Sequence, residues 1–172
     1  RLVVAGGFCG GDRGSLRSVE AYTGTGWTPL PHMPHSAYAA TACVLNGRLY
    51  VIGGWNSSAL QVLEMTEENG LSWSRKADLP ANRYFAASIA HEGKIMVLGG
   101  KVDDQNTASV LVYDPEEDAW ATAAPLPRTE IFSPDLATAR LQMNANGDIV
   151  CLYGPQGTSQ RRDRHTSLWV TD

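Results

Sequence analysis

Apolar residues along this chain come in short runs, and four of these runs end on glycine in the same way. They are Leu2-Val3-Val4-Ala5 before Gly6-Gly7, Leu49-Tyr50-Val51-Ile52 before Gly53-Gly54, Ile95-Met96-Val97-Leu98 before Gly99-Gly100, and Ile149-Val150-Cys151-Leu152 before Tyr153-Gly154. Runs of this length, bounded by turn signals and rich in Val and Ile, predict strands. Three are preceded by a two-residue turn signal: Asn46-Gly47, Glu92-Gly93 and Asn146-Gly147. Asn-Gly favours the positive-φ turn that joins antiparallel strands, so each run is the second strand, b, of a hairpin whose first strand is a. Helical periodicity is absent.

A third strand, c, follows a polar loop at Ser18–Tyr22, Leu60–Met65, Ser109–Tyr113 and Ser167–Thr171. A tryptophan then opens strand d at Trp27, Trp73 and Trp120, and a Leu-Pro step closes it at Pro31, Pro80 and Pro127. From Gly7 to Gly54 is 47 residues and from Gly54 to Gly100 is 46. A repeat near 50 residues with four strands per copy is the signature of a propeller blade. One such sheet cannot bury both faces, so copies stack. Tyr22, Tyr113 and the tryptophans are expected to fill the space between sheets, and the paired glycines to admit close backbone approach.

The order of turn glycine, apolar strand, Gly-Gly, Tyr-Asp-Pro corner (Tyr113-Asp114-Pro115) and Trp resembles the kelch repeat of the BTB-kelch type. The fold class expected is all-β, about three and a half four-stranded antiparallel blades of a larger, six-bladed kelch propeller. The expected blades are 1–31 (strands b to d), 36–80, 83–127 and 133–172 (strands a to c). Met65 and Thr171 stand where the tyrosine is expected, and Tyr153-Gly154 replaces Gly-Gly, so the last copy is the most divergent.

Charge narrows the partners. The net charge is −4 with mixed signs, unlike the basic footprint of a nucleic-acid binder. The exception, Arg161-Arg162-Asp163-Arg164-His165, reads as a solvated loop. No apolar run approaches the ~20 residues of a membrane-spanning helix. Neither nucleic acid nor membrane is therefore expected as a partner. Cys9, Cys43 and Cys151 are odd in number and lack metal spacing, which fits a reducing, cytoplasmic setting.

Binding is expected on the face where the b-to-c and d-to-a loops emerge, because variable loops on a rigid scaffold carry recognition. The resemblance implies a peptide or protein partner gripped there by arginines that follow the proline of strand d. Arg83 and Arg128 match that placement, with His35 in the corresponding place of the first copy. Arg13, Arg17, Asn56 and Lys101 lie on the same loops, and Tyr38, Trp55, Tyr84 and Phe132 add aromatic surface. A guanidinium binds a carboxylate through two parallel hydrogen bonds.

Catalytic and cofactor chemistry finds no support. The run Gly6–Gly14 lacks phosphate-loop spacing and a following helix. His32 and His35 lie on a segment made extended by Pro31 and Pro34, without a third ligand, so no metal and no cofactor are expected. The expected function is a non-catalytic interaction module, as the substrate receptor of a ubiquitin ligase or as a scaffold, completed by blades or domains outside this chain. The alternative is a propeller enzyme acting on sugars, of the galactose-oxidase or sialic-acid-mutarotase type.

Overall fold

A computed structural model describes residues 2–10, 14–55, 61–66 and 71–127, and the backbone of strands within 140–171. The chain divides into two compact units, Arg1–Tyr84 and Phe85–Asp172. The described residues form strands and turns and no helix.

The first sheet contains β1 (Leu2–Ala5), β4 (Val19–Tyr22) and β5 (Trp27–Leu30) in the order β1-β4-β5, all antiparallel. Between β1 and β4 the chain forms a small hairpin, β2 (Phe8–Cys9) with β3 (Gly14–Ser15), where the sequence predicts only a polar loop. The second sheet runs β6 (Thr41–Leu45), β7 (Arg48–Ile52), β8 (Val62–Thr66), β9 (Ser72–Lys76) in sequence order. Asn46 and Gly47 turn between β6 and β7 with φ of 50° and 77°, the two positive values a tight hairpin turn requires.

In the second unit, β10 (Ala87–His91), β11 (Lys94–Leu98), β14 (Val110–Asp114) and β15 (Ala119–Ala123) repeat that sheet. A second small hairpin, β12 (Lys101–Val102) with β13 (Gln105–Asn106), fills the b-to-c connection. The last sheet is β16 (Arg140–Met143), β17 (Ile149–Leu152), β18 (Ser159–Arg162) and β19 (Trp169–Thr171).

That last sheet corrects the sequence reading. Of the expected strand c at 167–171, the described part, Trp169–Thr171, is not strand c: Ser159–Arg162 pairs with β17 and takes that place, so Trp169 belongs to strand d like the other repeat tryptophans. The fourth blade thus has strands a to d rather than a to c, and Arg161 and Arg162 belong to a strand instead of a loop. Backbone pairing alone defines this strand, whose polar sequence shows no apolar alternation.

The core of the first unit lies between its two sheets. Val19, Ala21, Leu30, Met33 and Ala37 from one side meet Val51, Leu63 and Met65 from the other, with Leu49 and Trp73 packed against them. Burial of each large aliphatic side chain stabilises by about 1.5–3 kcal/mol. Trp73 also donates its indole N–H to the Pro31 carbonyl at 2.8 Å, tying strand d of the second sheet to the end of strand d of the first. In the second unit, Met96, Leu98, Val110 and Leu126 form the corresponding core.

Tyr113 is fully buried, stacks at 5.0 Å on Trp120 and donates to Asp118 at 2.5 Å. Tyr22 and Trp27 hold the same relation at 5.5 Å, yet both are exposed rather than wedged between sheets. One charge is buried among the apolar strands. Glu64, 1% exposed, accepts from Arg48 at 2.8 Å and pairs with Lys76 at 3.2 Å. The neighbouring Tyr50 hydroxyl is pushed up to about 12, first by burial and then by the Glu64 charge.

Candidate partner-binding site

The site is built on the paired glycines. A Cβ on Gly53, whose φ is +68°, would lie 2.3 Å from the Arg83 carbonyl oxygen, and one on Gly6 would lie 2.4 Å from that of Ala37. No side chain fits there, so the segment leading into the next blade lies directly on the glycine backbone. The second glycine of each pair then donates its N–H to the same carbonyl: Gly7 to Ala37 at 2.7 Å and Gly54 to Arg83 at 2.8 Å. Further backbone bonds fix the lead-in segment. Ala37 donates to Leu16, Met33 to Arg17, and Trp55 to Tyr38.

This seam sets the aromatic residues in pairs. The residue after each Gly-Gly meets the residue after each accepting carbonyl: Phe8 lies 5.1 Å from Tyr38, and Trp55 lies 4.6 Å from Tyr84 in an edge-on contact. The outer ring of each pair is open to solvent, Phe8 at 58% and Trp55 at 48%, while Tyr38 is half-buried and Tyr84 is buried behind it. A large exposed ring held rigidly from behind loses little conformational freedom on binding, the property of an interface anchor. Ala39 and Phe85 follow these tyrosines with φ of 56° and 54°, the same strained turn in both copies.

Phe8 was not among the sequence candidates. The slot after Gly-Gly, which Trp55 and Lys101 also occupy, identifies it equally well. The polar candidates are distributed differently from expectation. Arg17 and His35 are exposed on the first unit's loops. Arg83, by contrast, is only 4% exposed, and desolvation lowers its guanidinium to about 10, still charged at neutral pH. Its structural counterpart in the first copy is Ala37 and not His35, because both supply the carbonyl that receives the second glycine. Lys101, in the second unit, is half-buried at the start of β12. Arg13, Asn56, Arg128 and Phe132 lie outside the described residues. Among the described residues no cluster of His, Cys, Asp and Glu gathers at metal-binding range, and His32 and His35 both point to solvent-exposed positions.

Repeated four-stranded antiparallel sheets, Gly-Gly after strand b and Trp in strand d define the class: kelch-type blades of a partial propeller. Comparison with known proteins agrees with it. The Kelch motif matches residues 36–65 and 82–127. Kelch-like protein 35 of Mus musculus is 31% identical over 134 residues, covering 74% of this chain and 22% of that protein. Kelch repeat and BTB domain-containing protein 13 of Homo sapiens is 28% identical over 139 residues, covering 77% of this chain and 29% of that protein. Kelch-like protein 23 of Homo sapiens is 31% identical over 104 residues, covering 58% and 18% respectively. The chain belongs to the kelch-repeat family, and it spans less than a third of the length of these relatives.

Proposed function

We propose that the first unit is a protein-interaction surface that takes an acidic peptide segment of its partner, and that Phe8 and Trp55 anchor it. The observation that carries this reading is the repeated pair of exposed rings, each backed by a tyrosine and set on a backbone seam. Arg17 supplies accessible positive charge, and His35 an exposed imidazole, on the same loops of a chain that is acidic as a whole. Within this function the chain serves as the substrate-recognition part of a ubiquitin-ligase adaptor, a reading favoured by the BTB domain named in one relative.

Selection of a random peptide library on the immobilised full-length protein tests this reading. Enrichment of acidic sequences that also carry apolar residues is expected, with affinity falling about tenfold or more in Phe8→Ala and Trp55→Ala, the loss of a hot-spot aromatic. Selected peptides that bind both variants undiminished would remove the assignment. For the adaptor role, the partner's ubiquitination should fall in step with binding in the same variants.

A further inference from the structure

Strands β5, β9 and β15 each stand at the end of their sheet, with a strand on one side only. In an antiparallel ladder alternate residues of such an edge aim their N–H and C=O groups outward, which makes it a template for another extended chain. Proline and charge are the usual protection, and two of these three edges have it. β5 contains Pro29, which has no N–H to offer. β9 carries the exposed Arg75, paired with Asp78. β15 has neither: Ala119-Trp120-Ala121-Thr122-Ala123 is uncharged, lacks proline and pairs with β14 alone. Ala119, Ala121 and Thr122 are exposed and small, so a second backbone can come to the ~4.8 Å spacing of a sheet.

Charge selects the chain that fits. The corner leading into β15, Asp114-Pro115-Glu116-Glu117-Asp118, holds four carboxylates. Asp114 is paired with Lys94 and Asp118 accepts from Tyr113, whereas Glu116 and Glu117 are exposed. An incoming strand with a lysine or arginine at this end is attracted, and one with a carboxylate there is repelled. A second copy of β15 fits poorly. Laid antiparallel, it brings Ala123-Ala124-Pro125 to the corner, with no cation and with a proline that lacks the N–H; laid parallel, it sets one acidic corner against the other.

We propose that the outer edge of β15 takes up an extended basic segment of another protein as a fifth strand of its sheet, with the lysines or arginines of that segment against Glu116 and Glu117. Main-chain hydrogen bonds give affinity with little regard to sequence, and the acidic corner makes the choice. The edge belongs to the second unit and the aromatic pairs to the first, so the two binding surfaces stand or fall separately.

Hydrogen–deuterium exchange of the full-length protein, resolved to single residues by mass spectrometry, tests the proposal. The probe is a synthetic peptide of alternating threonine and valine with two lysines at each end. At saturation it should slow alternate amides of β15 about tenfold or more, leaving β5 and β9 unchanged. The same peptide with glutamates in place of the lysines should bind several-fold more weakly. Glu116→Lys combined with Glu117→Lys should reverse that preference, and Thr122→Lys, which sets a charge on the exposed edge, should weaken both peptides while leaving thermal unfolding little changed. Equal binding of the two peptides, protection confined to other strands, or unprotected β15 amides at millimolar peptide would overturn the proposal. So would slow β15 exchange in the free protein that quickens on dilution, because that reports a second copy on this edge.

Discussion

Replacing Gly53 by alanine separates the two demands that the Gly-Gly seam makes on its first residue. At φ of +68° an alanine incurs the left-handed penalty of an L-residue, about 1–2 kcal/mol. Its methyl group would also lie 2.3 Å from the Arg83 carbonyl oxygen, a backbone atom that can retreat only by moving the whole lead-in segment. Retreat breaks the bond from the Gly54 N–H to that carbonyl, now 2.8 Å, and an unsatisfied buried donor costs about 1–3 kcal/mol. The expected total is about 2–5 kcal/mol. Gly93→Ala is the control: its φ is +74°, but nothing lies within 4 Å of the added methyl, so only the backbone penalty of about 1–2 kcal/mol applies. Urea unfolding of both variants measures the difference, and peptide binding by Gly53→Ala should weaken because Arg83 and Tyr84 shift with the seam. Equal destabilisation by the two substitutions would refute the claim that the lead-in segment rests on Gly53.

Three further outcomes follow from the packing and the charges. Trp73→Phe removes the indole bond to the Pro31 carbonyl and should lower unfolding stability by about 1–3 kcal/mol, whereas Trp27→Phe within this chain should have little effect. Arg48→Met with Lys76→Met leaves the buried Glu64 carboxylate without its two cations and should cost about 3–5 kcal/mol at neutral pH, most of it recovered by adding Glu64→Leu. The bond from Lys94 at 2.5 Å, with a backbone bond from Glu116, holds the Asp114 carboxyl below its ordinary 3.8. Because the folded pKa is the lower one, this contribution to stability is complete above pH 3.8 and is lost as pH falls through the folded value. Carboxyl titration by NMR should show the Asp114 midpoint rising in Lys94→Met.

The parts of the fold legible in the sequence are those where a local rule admits few alternatives. Asn46-Gly47 turns where it must, and Tyr113 and Trp120 meet across β14 and β15 as their spacing indicates. Strand β18 was illegible because Ser159-Gln160-Arg161-Arg162 carries no apolar alternation and is ordered by the strands on either side of it. The site was legible in its loops and less so in its register. Placement after the proline of strand d puts His35 in the equivalent place to Arg83, but the first lead-in segment is longer, and the glycine seam instead aligns Ala37 with Arg83. The burial of Arg83 has no sequence signal either, since arginine is ordinarily exposed and only the folded seam removes it from water. Tyr22 and Trp27 follow the repeat faithfully and yet stay exposed, because burial depends on what lies across the face and not on the residues themselves.

The central claim is that a partner is held by the aromatic pairs on the glycine seam. Indole N–H resonances of the full-length protein, followed while a library-selected acidic peptide is added, test it most directly. The account predicts a saturable shift of the Trp55 indole, absent in Tyr84→Ala, with the Trp27 and Trp73 indoles unmoved. Saturable binding that shifts Trp27 or Trp73 while Trp55 stays in place would contradict it.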